Sequence, residues 1–597
     1  MAMKVSWKTC GLTSAWQIAL ALVILGCVTF GLPYLFPVTP SISLSYDAGF
    51  NNRAACVCFA LGSLIFAFFL KGDIQTAKHD RPLRRSALYF ALCIALALCV
   101  SRPAFVAHIT SGTEVTYFLN RQYLLSMGLI PYRQFEFAYG PLLLYPGVWA
   151  AKILHGSLTA GYYLWWTASW MIGVWMLWEL VRAVDIVTPH RTQIFALTCF
   201  IVYPAIASEG LNGSPLRLFC AAFVVLVVYR TCWRWRSPLW TGAAAVLGVA
   251  LAFGSSPEQG LGAAAGLAMY FTYLAIRKSP VFSWTALAAM LLGFIAIFAA
   301  ADHFSILTTM RAFASGGNSF PLLPTPWTCL VLGCYLSAAC LFVLRLRTGK
   351  EMSVTLPLVC AGAAMLPSAM GRCDIGHLES AWPAMLVGIF AIYALLAVRR
   401  WWVPAAMCLI LVLSIELPAA KHALGTVRDA SELLLVGSGT PPTALQRFFW
   451  AHLGQSPAMQ RRLAAISAKF VPREHYDNPA VPCDRIYLAP AYGRILGPCF
   501  DNGYFLGQEN VFLPSQVQRK IDELAAYPGT PLLLTGASLQ TAFPAKDSMD
   551  MLYGLEGSFY VPRQRNPSLS LAPLAQYISG HYISTTTLDG YTVWEPK

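Results

Sequence analysis

Side chains capable of acid, base or anion-binding chemistry recur in this sequence as small clusters between long apolar runs. One stretch reads His108-Ile-Thr-Ser-Gly112-Thr-Glu114-Val-Thr-Tyr117-Phe-Leu-Asn-Arg121. It continues, after a short gap, as Met127-Gly-Leu-Ile-Pro131-Tyr132-Arg133-Gln-Phe-Glu136-Phe-Ala-Tyr139-Gly140-Pro141-Leu142. Glu209 and Arg217 follow, flanking Asn212-Gly213-Ser214-Pro215, then Glu258 in Ser255-Ser-Pro257-Glu258-Gln-Gly260. Asp302, His303 and Arg311 come next, and last Gly371-Arg372-Cys373-Asp374-Ile-Gly376-His377-Leu-Glu379. Carboxylates in such clusters can take protons, and the planar fork of arginine can hold two oxygens of an anion at once. No Cys-x-x-Cys or His-Glu-x-x-His spacing argues for zinc.

The elements that must position these clusters are membrane spans. The 597 residues are 57% hydrophobic and 12% charged, with a mean hydropathy of +0.56, too apolar for a soluble chain of this size. Uncharged runs of roughly 17 to 23 residues, long enough for a helix to cross the hydrocarbon of a bilayer, recur about thirteen times. They lie near 15 to 37, 54 to 70, 86 to 106, 162 to 181, 192 to 208, 216 to 231, 238 to 254, 260 to 277, 283 to 301, 326 to 345, 353 to 370, 381 to 398 and 402 to 418. The first follows Lys4 and Lys8 but lacks a small-residue cleavage site, so it reads as a retained anchor.

Basic residues in short loops stay cytoplasmic, and here every second loop is basic. Lys71, Lys78, Arg81, Arg84 and Arg85 occupy one such loop; Arg182 with Arg191, Arg230 with Arg234 and Arg236, Arg277 with Lys278, Arg345 with Arg347 and Lys350, and Arg399 with Arg400 occupy others. The alternation requires Tyr139 to Gly156, with Pro141, Pro146, Gly147, Lys152 and His155, to lie in the outer interface rather than cross. The N-terminus is then cytoplasmic, and all the clusters above fall in outer loops. Several of those loops are very short, which holds their side chains near the bilayer surface, so groups from distant parts of the chain could converge on one interfacial site. The span centres are almost free of charge, Glu179 standing near an inner end and Glu416 near an outer one. That counts against an ion-driven transporter, which needs a relay at the midplane.

The formal charge of +14 sits mostly in the membrane half and needs no nucleic acid. Two domains are expected: a transmembrane domain over 1–419, with a large outer loop over 107–161, and a soluble extracytoplasmic domain over 420–597. In the latter, Ala444 to Phe470 and Pro514 to Ala526 read as helices, and Arg485 to Ala489 and Pro531 to Thr535 as short strands, giving a small α/β fold. A periplasm-like compartment would permit Cys483 and Cys499 to pair, although spacing alone leaves this open.

The acid that opens the first large outer loop, the Gly-x-x-Pro-Tyr turn leading to Tyr139-Gly140-Pro141-Leu142, about thirteen spans and an outer C-terminal domain together resemble the GT-C superfamily. These are the polyprenyl-phosphate-sugar-dependent membrane glycosyltransferases, such as protein O-mannosyltransferases, aminoarabinose transferases and the catalytic subunit of oligosaccharyltransferase. Many members carry an Asp or paired acids where this chain has Thr113-Glu114, which leaves the metal requirement and the acceptor chemistry open.

The resemblance implies transfer of a hexosyl or pentosyl group from a polyprenyl-phosphate donor to a glycan, lipid or protein acceptor; the short loops fit a bacterial inner membrane. A sugar on a lipid phosphate already has a good leaving group, so the enzyme must chiefly deprotonate the acceptor and stabilise the departing phosphate. Glu114 is the candidate general base, with inversion expected for a single displacement; the alternative is a helix-capping carboxylate or a pair with Arg121. Arg372, His377 and Arg217 are candidates for the lipid phosphate, against simple loop solvation, a weak Arg372–Asp374 pair, or an arginine reaching to headgroups. Glu136, Glu209, Glu258 and Asp374 are candidates for orienting the acceptor or a cation. These motifs single out no cofactor, but oxygen ligands from Glu114 with Glu209 or Glu258 would suit a divalent cation, magnesium or manganese. Two other classes fit parts of the pattern: a polysaccharide polymerase or ligase acting on pyrophosphate-linked glycans, and a transporter of lipid-linked glycans.

Overall fold

The computed structural model describes residues 15–39, 44–70, 113–126, 128–133, 135, 137–155, 158–184, 195, 198, 211–277, 280–303, 305–307, 310–311, 319–348, 354–373, 375–399, 487–488, 500–501, 518, 521–522, 524–526, 529–535, 549–554, 557–562, 572–588 and 591–597. Its larger part is a helical assembly: α1 (Ala15–Phe30), α2 (Asn52–Phe69), α3 (Thr113–Ser126), α4 (Tyr145–Ile153), α5 (Leu158–Ala183), α6 (Pro215–Trp235), α7 (Pro238–Ser255), α8 (Pro257–Arg277), α9 (Pro280–His303), α10 (Pro326–Thr348), α11 (Thr355–Arg372) and α12 (Trp382–Arg399). Seven helices among the described residues are long and apolar enough to cross a membrane. The chain is an integral membrane protein. Nine of the expected apolar runs coincide with α1, α2 and α6 to α12, and a tenth with α5. The runs at 86 to 106 and 402 to 418 lie outside the described residues, and the run at 192 to 208 is described only at Phe195 and Thr198.

Four successive helices, α6 to α9, begin on a proline that follows a serine. Proline at the first helical position gives up an N–H that has no partner there anyway, and the serine hydroxyl caps a backbone N–H one turn on. Ser214 caps the Arg217 amide and Ser237 the Trp240 amide in this way. These caps set sharp helix starts, so the side chains of the first turn occupy fixed positions.

Small residues bring the helices together, as packing in lipid demands. A side chain at Gly266 would strike Ala361, and one at Gly262 would strike Met365, so α8 lies directly on α11. The register is antiparallel and brings the first turn of α8 and the last turn of α11 to the same end of the assembly. Gly388 of α12 approaches the Cys334 carbonyl of α10 just as closely. Asn52, at the start of α2, donates to the carbonyls of Phe320 (2.8 Å) and Met370 (3.1 Å), tying α2 to that same end of α11.

The segment expected to lie in the interface forms a 3-10 turn over Pro141–Leu143 and the nine-residue α4. Nine residues cannot span a bilayer. Trp149, Ile153 and Leu154 are exposed along α4 while Gly147, Val148 and Ala151 are buried.

Toward the C-terminus the strands β1 (Tyr487–Leu488), β2 (Phe500–Asp501), β3 (Leu532–Thr535), β4 (Met549–Gly554), β5 (Gly557–Pro562), β6 (Tyr582–Leu588) and β7 (Tyr591–Pro596) form two sheets. The larger has order β2-β1-β3-β7-β6, with β1 parallel to β2 and β3, and β7 antiparallel to β3 and β6. Helix α13 (Ala572–His581) buries Leu574 and Ile578 against Leu532 and Leu534 of β3 and against Leu524. This is the small α/β unit expected, with β1 and β3 inside the two predicted strands and residues 518, 521–522 and 524–526 helical. Ala444 to Phe470 and the cysteines Cys483 and Cys499 lie outside the described residues.

Candidate functional site

The starts of α6 and α8 meet in a buried polar knot built around Arg217. The Ser214 cap sets the first turn of α6, and Arg217 stands in it with 5% of its side chain exposed. Its Nε donates to Ser256 Oγ at 2.9 Å and its Nη1 to the Asn212 carbonyl at 2.6 Å. Its Nη2 donates to Glu258 Oε1, closing an ion pair between α6 and α8. Glu258 keeps 26% of its side chain exposed, so the carboxylate is open on one side while the guanidinium is enclosed. A charge buried this deeply is tolerated because it is both paired and hydrogen-bonded.

The Tyr-Gly-Pro-Leu motif supplies the remaining wall. The Gly140 amide donates to the Ser255 carbonyl at 3.2 Å, and a Cβ on Gly140 would fall 2.1 Å from the Gly254 carbonyl oxygen. Only glycine lets this segment lie against the end of α7. That contact carries the Tyr139 ring to 4.9 Å from the Arg217 guanidinium carbon, within cation–π range. Tyr139 is also stacked on Phe118 of α3, with centroids 5.7 Å apart and planes 12° apart. The upstream Gly-x-x-Pro-Tyr segment is a turn: Gly128 has φ +88°, and Tyr132 sends its hydroxyl back to the Tyr139 carbonyl at 2.5 Å.

Next to Glu258, Gln259 is fully buried and donates through Nε2 to the Ser380 carbonyl at 2.9 Å. This bond ties the start of α8 to the 3-10 turn Glu379–Ala381 that leads into α12. Three loops distant in sequence, around 139, 212 and 256, therefore converge on Arg217, and a fourth around 380 adjoins them.

Of the residues expected to act, Arg217 and Glu258 are in direct contact. Arg372 ends α11, half-buried, with its guanidinium 6.0 Å from the Phe320 ring centroid, and His377 follows in the short helical turn Ile375–Leu378, also half-buried. The α8–α11 register puts Arg372 at the same end as Glu258. Glu114 stands in the first turn of α3, one turn before Phe118; its side chain, and Glu136, Glu209 and Asp374, lie outside the described residues. Among the described residues no group of three His, Cys, Asp or Glu side chains gathers as a metal site.

Asn212, Ser256, Gln259 and Ser380 were not singled out by sequence. The Ser-Pro pairs at 214–215 and 256–257 carried a signal for two of these places, since they mark helix starts where first-turn side chains face a neighbouring loop.

No family model matches the chain, and no curated protein matches it. Solved structures similar to it include ArnT from Cupriavidus metallidurans bound to undecaprenyl phosphate, at 14% identity over 81% of this chain and 99% of that one, with a TM-score of 0.42. They also include the Archaeoglobus fulgidus oligosaccharyltransferase tethered with an acceptor peptide, at 12% identity over 85% of this chain and 80% of that one, with a TM-score of 0.44. The fold and the site are therefore read from this chain's own residues.

Proposed function

We propose that the protein is a membrane glycosyltransferase that moves a sugar from a polyprenyl-phosphate donor to an extracytoplasmic acceptor, a glycan, lipid or protein. The observation that carries this reading is the assembly of Tyr139, Asn212, Arg217, Ser256 and Glu258 from separate loops at one end of the spans. An ion pair and polar side chains held there suit a substrate whose lipid tail stays in the bilayer while its phosphate and sugar meet water.

In this mechanism Glu114 takes a proton from the acceptor hydroxyl or amine as that atom attacks the anomeric carbon. The C–O bond to the lipid phosphate breaks and its electron pair leaves with the phosphate, inverting the anomeric centre. The stacking of Phe118 on Tyr139 supports this assignment, because it links the helix whose first turn bears Glu114 to the Arg217 knot. Arg372 and His377 bind the leaving phosphate, where charge grows in the transition state. Arg217 directs three of its nitrogens to protein acceptors, which favours a positioning role: it holds Glu258 and the Tyr-Gly-Pro-Leu segment in place. Glu258, partly exposed, orients the acceptor. The N-terminus is cytoplasmic and the C-terminal α/β unit extracytoplasmic, in a bacterial inner membrane.

The deciding experiment follows label from a radiolabelled polyprenyl-phosphate-sugar pool in membranes holding wild type or Glu114→Gln at matched expression. Transfer by wild type and none by the variant is the expected result. Equal transfer by both would remove Glu114 as base, and transfer by neither, across donors of several sugars, would overturn the transferase reading.

A further inference from the structure

Three side-chain amides among the described residues have a buried oxygen with no hydrogen-bond partner there: Gln122, Asn212 and Gln259. Two of the three flank the Arg217–Glu258 pair. Asn212 gives its backbone carbonyl to Arg217, and its Oδ1 is left without a donor. Gln259 directs Nε2 to the Ser380 carbonyl, which fixes the sense of its amide and leaves Oε1 unpartnered. The Ser380 hydroxyl in the adjoining turn and the Trp382 indole N–H at the start of α12 are unpartnered as well. Asn212, Gln259, Ser380 and Trp382 are at most 5% exposed.

A buried polar atom left in this state destabilises the fold, so several in one neighbourhood call for something that hydrogen-bonds to them. Their chemistry says what. Asn212 Oδ1, Gln259 Oε1 and the Glu258 carboxylate only accept, the Ser380 hydroxyl does both, and Trp382 only donates. A phosphate, all acceptor and negatively charged, gains little from such a wall beside a carboxylate. Hydroxyl groups both donate and accept, and a sugar ring presents several of them at close spacing.

We propose that Asn212, Gln259 and Ser380, beside the Arg217–Glu258 pair, form a hydroxyl-recognising subsite that takes the sugar ring of the lipid-linked donor and not its phosphate. This deepens the transferase reading and rests on it for the identity of the ligand. Gln259 is the central residue: its nitrogen is used to hold the turn before α12, and its oxygen is the acceptor offered to the sugar. Because the same turn bears Ser380 and follows His377, sugar and phosphate would be held by neighbouring parts of one loop.

The test is binding to the full-length protein in detergent, comparing bare polyprenyl phosphate with polyprenyl-phosphate glucose, mannose, galactose and arabinose. Wild type should bind at least one of the glycosylated lipids about 10-fold tighter than the bare lipid, the equivalent of one or two net hydrogen bonds. Gln259→Met should bring that preference, the ratio of the two affinities, to within about 2-fold. If Gln259→Met does not fold, Ser380→Ala, which removes only a hydroxyl, carries the same expectation with a smaller drop. A wild type with no preference for any of the four sugars, or variants that keep it in full, would overturn the subsite. Variants that melt higher and keep the preference would show that these atoms hold water only. The two readings fail separately: a preference lost in Gln259→Met without any label transfer leaves the subsite and removes the transferase, and transfer with an unchanged preference does the reverse.

Discussion

At the start of α6, Arg217 meets Glu258 with 5% and 26% of the two side chains exposed; near its other end, Arg230 meets Glu179 with 42% and 14% exposed. Glu179 also takes Arg182 of its own helix at 2.7 Å, the same distance as Arg230. The second network is a carboxylate shared by two arginines whose heads still reach solvent, and it joins the ends of α5 and α6. The first encloses its arginine, which pairs with Glu258 and is hydrogen-bonded to Asn212 and Ser256 with an aromatic ring against it. Burial makes the difference. An ion pair open to water can lose a partner cheaply, whereas an enclosed one leaves an uncompensated charge.

The comparison is broken or sharpened most directly by Arg217→Ala. It should destabilise the protein by about 3–5 kcal/mol, as loss of one partner of a buried pair does, and abolish transfer; a melt in detergent and the label assay read both. Replacing both partners, Arg217→Met with Glu258→Met, should restore most of that stability without restoring transfer, because no lone charge is left behind. Gly140→Ala comes next. Its new methyl would press on the Gly254 carbonyl, costing about 1–3 kcal/mol and moving the Tyr139 ring from Arg217. Transfer should fall more than the melting temperature does. Glu179→Gln should be the mildest, at most about 1 kcal/mol, with transfer unchanged. If it matched Arg217→Ala in either readout, burial would not be what separates the two networks.

Much of the helical half was legible because apolar length is a strong signal that survives without tertiary information. That Tyr139 to Gly156 forms no span was legible for a related reason: its prolines and Lys152 break the run, and the observed helix is only nine residues long. The site was legible in part. Arg217 and Glu258 stood out as charges in short loops, and both lie in the knot, but their mutual contact depends on the close passage of α6, α7 and α8 and has no local signature. The role of Gly140 likewise comes from a backbone 114 residues further along, at Gly254. Gln259 and Ser380 could not be found by type, since neutral amides and hydroxyls are common in loops, and their importance lies in which of their atoms go without a partner. The α/β unit was seen only in outline, because β6 and β7 pair by a register that short alternating segments do not specify alone.

The glycines that seat α8 on α11 have one more effect. With Gly262 against Met365 and Gly266 against Ala361, the two helices cannot slide without forcing side chains into backbone. Glu258 at the head of one and Arg372 at the foot of the other are therefore set at a constant separation, like the jaws of a caliper locked by its screw. Under the proposed function a donor spanning them would be gauged by size before any bond is made or broken, and a bulky residue at Gly266 would reset the gauge.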